Sequence, residues 1–140
     1  MLFTIDKALK RINKEISELD FGKEPAELYD PIYYIMGLGG KRMRPLLALL
    51  SHQLFSDDQD EVMKPAIAVE VFHNYTLVHD DIMDNAPLRR GNATVHEKWS
   101  SNVAILAGDV MQIKSNELMM QVDDKILRDV LVLFNKTATR

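Results

Sequence analysis

The chain has 140 residues, a formal net charge of −4, 46% hydrophobic and 27% charged residues, and no cysteine. That is the profile of one soluble globular domain with a real core. It excludes disulfides and thiolate metal sites, argues against a basic nucleic-acid-binding surface, and fits a cytoplasmic protein. Residues 1–20 alternate charged and apolar side chains and lack the apolar core of a signal peptide. The longest apolar runs are about five residues, far below the ~20 that span a bilayer, so no membrane span is expected.

Ile5, Leu9, Ile12, Ile16 and Leu19 alternate spacings of four and three, the stripe of an amphipathic helix. Phe21-Gly22-Lys23 breaks it, and Glu24-Pro25 opens a second helix through about Met36. Gly37, Gly39 and Gly40 form a connector, and Pro45 suits the first turn of a third helix carrying Leu46 to Phe55. Ser56 to Asp60 form a polar loop. A fourth helix is predicted from about Glu61 to Asp84, with Lys64-Pro65 as a kink or its first turn, and Asn85-Ala86-Pro87 ends it. Residues 85–100 read as a loop. Asn102 to about Gln121 and Asp123 to Thr137 or beyond form the last two helices. No stretch alternates as a strand would, so the expected class is all-α, one domain over residues 1–140. Phe134 to Arg140 carry no helix stop signal, so a truncated chain is expected.

His79-Asp80-Asp81-Ile82-Met83-Asp84 is the most informative stretch. On a helix, Asp80 and Asp84 fall about 40° apart, so their carboxylates project side by side. Like charges at that spacing, at the negative end of a helix dipole, destabilise the helix unless a cation joins them. Carboxylate oxygens suit Mg²⁺, which keeps several waters and bridges to substrate phosphates. A solvated acidic helix end is the bland alternative. Nearby bases weigh against it: Lys41, Arg42 and Arg44 follow two glycines, and Arg89-Arg90-Gly91 follow Asp84. Arginine pairs bidentately with phosphate oxygens and lysine adds a mobile charge. His73 lies about 20° short of two full turns before Asp80, on the same face, whereas Asp81 lies about 100° off it.

Gly39-Gly40-Lys41-Arg42-Met43-Arg44-Pro45, Glu70 with His73, Leu77 to Asp84, Arg89-Arg90-Gly91, Thr94 with His96, and Ala104 to Asp109 occur in order. Together they resemble the trans-prenyl diphosphate synthases, the polyprenyl synthetase family. The resemblance implies the N-terminal half of the isoprenoid synthase fold, an antiparallel helix bundle. It implies a Mg²⁺-dependent prenyltransferase condensing isopentenyl diphosphate with an allylic diphosphate. Asp80, Asp81 and Asp84 would be the catalytic aspartates, with Asp80 and Asp84 on the metal. Arg89 would meet the allylic diphosphate, and Lys41, Arg44, His73 and Arg90 the isopentenyl diphosphate. Tyr75 and Thr76 would set product length, with Tyr75 favouring short products, farnesyl or geranylgeranyl; its alternative role is simply core. A homodimer is implied.

The family's second aspartate-rich motif does not follow within these residues, and Asp123-Asp124-Lys125-Ile126-Leu127 lacks its fifth aspartate. The alternative reading is therefore a catalytically incomplete fragment or accessory subunit that binds diphosphate or a partner without turnover. A terpene cyclase shares the aspartate motif, but Lys41, Arg44 and Arg90 argue against it, because a cyclase needs no isopentenyl diphosphate site.

Overall fold

The computed structural model describes residues 4–140. Met1 to Phe3, the start of the segment lacking a signal-peptide core, lie outside the described residues. The class is all-α: seven helices are present among the described residues, α1 (Ile5–Ser17), α2 (Ala26–Gly37), α3 (Met43–Gln53), α4 (Asp60–Met83), α5 (Val95–Lys98), α6 (Ser101–Met119) and α7 (Asp124–Ala138). No helix among them is long and apolar enough to cross a membrane.

The amphipathic stripe of α1 buries Ala8, Ile12 and Ile16. Thr4 caps its start, its hydroxyl accepting from the Lys7 N–H. Ile5 is exposed, and Leu19 falls beyond the last turn, half-buried. Helix α4 is central: Met63, Ile67, Val71 and Val78 are buried on one side, and no residue from Val62 to His79 is exposed. Its principal partner is α6, with α3 on another side. Small residues Ala104, Ala107 and Gly108 line the buried side of α6. At Gly108 an added Cβ would overlap the His79 imidazole, so glycine there lets the two helices close.

Three expectations need correction. Helix α3 ends at Gln53, and Leu54 and Phe55 are strongly exposed instead of continuing its face. The Leu54 and Phe55 N–H groups donate back to Ser51 and His52, tightening the last turn before Ser56 receives the Asp58 N–H. Of the two readings of Pro65, the first turn is overturned: α4 starts at Asp60 and Pro65 lies in its second turn, inside the helix. Residues 85–100 are ordered by more than a loop: strand β1 (Leu88–Arg89) pairs antiparallel with β2 (Asn92–Ala93), and α5 follows. Arg90 and Gly91, both at positive φ (52° and 77°), make the tight turn between the strands. Thr94 closes the base of the hairpin, its hydroxyl donating to the Ala86 carbonyl at 2.7 Å and its N–H to that of Pro87 at 3.1 Å.

Candidate diphosphate and metal site

The C-terminal end of α4 sets the acidic part of the site. Asn85 takes the left-handed conformation (φ 50°) just past the helix. Its N–H donates to the Ile82 carbonyl and that of Ala86 to Asp81, the paired bonds of a Schellman cap. This cap turns the chain sharply, so the β1–β2 hairpin returns beside the helix end that carries the aspartates.

The three aspartates do not share one environment. Asp81 is 3% exposed and held by Arg89 in a two-pronged ion pair, Nε donating to Oδ2 at 2.7 Å and Nη2 to Oδ1 at 2.8 Å. Such forks add geometric specificity to charge. The Asp81 hydrogen bond raises the Arg89 pKa above its ordinary range, against a smaller lowering by burial, and Asp80 and Asp84 add to the rise. Asp80 and Asp84 are exposed, and neither makes a side-chain hydrogen bond or ion pair among the described residues. No three acidic or histidine side chains among the described residues converge into a closed metal cage. Two hard carboxylates at one helix end fit an ion such as Mg²⁺, which takes one or two carboxylates and completes its shell with water and phosphate oxygens.

The basic part forms where two distant segments meet. Arg90, at the hairpin turn, donates through Nη1 to the Gly39 carbonyl. Its guanidinium lies against Gly40, where a Cβ would sit 3.1 Å from Nη2. Gly40 itself has φ 147°, so glycine here serves both the turn and the close approach. Burial, then the Arg42 and Arg89 charges, lower the Arg90 pKa from its usual value. His73, half-buried on α4, shares a cavity of about 320 Å³ with Arg44, Thr76, Phe72 and Phe134. Burial and the Arg44 charge lower its pKa; Glu70 opposes them, while Arg90 and Arg89 add to the lowering. Lys41 is exposed on the connector just ahead of α3.

Thr76 thus faces the His73 cavity, its hydroxyl donating to the His73 carbonyl at 2.7 Å. Tyr75 lies in an aromatic run on α4, edge-on to Phe72 (5.3 Å) and to His79 (4.9 Å). His79, between the acidic cluster and the core, is fixed to α6 by a 3.1 Å hydrogen bond between Nε2 and the Ile105 carbonyl.

One arrangement went unread in the sequence. Arg42 is buried, and its guanidinium reaches three elements: Nε donates to Asn13 Oδ1 at 3.1 Å, Nη1 to Glu70 Oε1 at 2.8 Å and Nη2 to the Met36 carbonyl at 3.1 Å. The Arg42 and Glu70 side chains are each 4% exposed. The available signal was Glu70 itself, an ionisable residue set between Val69 and Val71 in an apolar helix.

Comparison with known proteins bears on this geometry. The family model described as polyprenyl synthetase matches residues 25–140. The chain is 40% identical to a short chain isoprenyl diphosphate synthase of Methanocaldococcus jannaschii, over 91% of this chain and 39% of that protein. It is 37% identical to a geranylgeranyl diphosphate synthase of Methanosarcina mazei, over 99% of this chain and 45% of that one. A crystal structure of geranylgeranyl pyrophosphate synthase matches it with a TM-score of 0.93 at 45% identity, covering 99% of this chain and 42% of that chain. The chain spans less than half the length of these relatives.

Proposed function

Because the chain belongs to the polyprenyl synthetase family, we propose that it forms the diphosphate-binding part of a prenyltransferase that condenses isopentenyl diphosphate with an allylic diphosphate. The observation that carries this reading is the contact of Arg90 with Gly39 and Gly40, which draws two basic segments 51 residues apart to one side of the aspartate helix. Asp80 and Asp84 would hold Mg²⁺ on the allylic diphosphate. When bound, the metal supplies charge neutralisation of the departing diphosphate.

The chain's own groups divide the remaining tasks. Asp81 fixes the Arg89 guanidinium at the helix end, where its outer N–H groups can meet the allylic diphosphate. Lys41, Arg44, Arg90 and His73 supply donors and positive charge for the second diphosphate. These preset charges stabilise developing negative charge without reorganising during reaction. Thr76, Phe72 and Phe134 line the neighbouring cavity, which would keep water from the reacting carbons. Tyr75, packed on Phe72, would cap the tunnel and favour farnesyl or geranylgeranyl products; Tyr75→Ala should lengthen them, and unchanged product length would remove that role. Residues 1–140 would belong to one domain of a cytoplasmic homodimer; the exposed apolar positions on α6 support the dimer.

The test is incubation with Mg²⁺, radiolabelled isopentenyl diphosphate and an allylic diphosphate. Binding of both diphosphates is expected, with Asp80→Asn and Asp84→Asn each weakening the Mg²⁺-dependent binding of the allylic diphosphate by roughly tenfold or more, the scale of one lost contact to a charged group; labelled prenyl product would extend the reading to turnover by this chain alone. Binding of both diphosphates without turnover would instead establish a non-catalytic binding form. Failure to bind either one would end the reading.

A further inference from the structure

Helix α1 lies ahead of residues 25–140, the part that carries the family match, yet it reaches the site through Arg42. Arg42 is the residue before α3 and takes the left-handed conformation, φ 51°. For a residue with a side chain this costs about 1 kcal/mol or more, and persists only where the surroundings hold it. Here they do. The three donors of its fork engage α1 at Asn13, the end of α2 at Met36 and the middle of α4 at Glu70. Glu70 lies one turn before His73 on the same helix and also accepts from Asn74 Nδ2 at 3.4 Å.

Packing alone does not hold the connector on its α1 side. A cavity of about 350 Å³ lies there, lined by Asn13, Ser17, Tyr33, Gly39 and Arg42 among others. Exposed Asn13 and buried Arg42 meet at its wall. Helix α1 is itself pinned to α4 by the 3.0 Å Lys64–Glu15 ion pair and by Arg11 on Asp60. Arg42 stands between Lys41 and Arg44 in sequence, so any rotation of its backbone moves both.

We propose that Asn13 is a positioning residue: by holding Arg42 it fixes the start of α3, and so sets Lys41 and Arg44 against His73 and Arg90. This rests on the reading of those four residues as a diphosphate site. Arg42 itself is a poor test, because its removal strands the buried Glu70 carboxylate and threatens folding. Asn13→Leu leaves the Arg42–Glu70 pair in place and removes only the acceptor. Asn13→Asp retains an acceptor.

Two measurements decide it, each on chain shown to be folded by circular dichroism. One is the affinity for inorganic pyrophosphate without Mg²⁺, which keeps the aspartates silent. The other is the titration of the His73 imidazole by NMR in the ligand-free chain. Asn13→Leu should weaken pyrophosphate roughly tenfold, equivalent to one hydrogen bond to a charged group. It should also raise the His73 pKa toward its ordinary value as Arg44 moves off, with Asn13→Asp restoring both. A His73 titration in Asn13→Leu identical to wild type overturns the proposal. If the wild-type chain does not bind pyrophosphate, the diphosphate reading fails, and the ligand-free titration still decides whether Asn13 positions Arg44.

Discussion

Asp80 and Asp81 are neighbours in sequence with opposite surroundings: one carboxylate is exposed and unpaired among the described residues, the other buried beneath Arg89. Helical phase alone separates them, and phase is legible in a sequence. The partner is not, because an arginine eight residues away looks the same whether it serves a ligand or a buried acid. His73 offers a sharper residue-scale prediction. Its folded pKa lies below the usual 6.5, first through burial and then through Arg44. The folded state therefore favours neutral imidazole; the stability this contributes is fully present above pH 6.5 and is lost as pH falls through the lower folded value. A bound diphosphate reverses the local field and raises the same pKa. Pyrophosphate binding should thus take up a proton and tighten as pH falls from 8 toward 6. His73→Gln should flatten that slope. Calorimetry in buffers of differing ionisation enthalpy reads the net proton uptake, and a proton uptake unchanged in His73→Gln would assign it to pyrophosphate itself and contradict the assignment.

At the scale of elements, the long helices were legible because their apolar spacing extends over several turns. The β1–β2 hairpin was not, since two-residue strands contain no period to read; its cues are the Arg90-Gly91 turn and the capping Asn85. The surroundings of α4 were also obscured. Its buried face carries Glu70, Asn74 and Asp81 while Val62, Val69 and Phe72 are only partly buried, so no polar face marks its orientation. The packing of α4 on α6 turns on Gly108, which meets the His79 ring directly. Gly108→Ala gains helix propensity of about 1 kcal/mol but drives a methyl into an imidazole anchored on Ile105. Overpacking of this kind costs about 1–3 kcal/mol, and the anchored ring cannot swing aside without losing its hydrogen bond. Net destabilisation of up to about 2 kcal/mol is expected on that balance, visible as a lower urea midpoint. His79→Ala in the same background should recover part of the loss by making room. A more stable Gly108→Ala variant would show that the helices separate freely.

For the whole molecule, the unpartnered side of α6 is decisive. Leu106 and Ile113 on α6 and Met120, which caps its end, recur every seven residues and are 56%, 60% and 50% exposed. Spacing of seven keeps side chains on one seam of a helix, the pattern that packs against a second helix. The small residues of α6 face α4 instead, so the seam is not needed for the internal core. A homodimer through α6 would bury it against its own copy, with the central Ile113 near the two-fold axis. Ile113→Glu places two carboxylates there, desolvated and facing each other, at a cost of about 3 kcal/mol or more. That corresponds to weakening association at least about a hundredfold. Sedimentation equilibrium should find the wild-type chain dimeric and Ile113→Glu monomeric, with unchanged helical content by circular dichroism. Pyrophosphate affinity should survive in the monomer, because Lys41, Arg44, His73 and Arg90 all come from the same chain. A dimeric Ile113→Glu would move the contact off this seam; a monomer that loses pyrophosphate would make the second copy part of the site.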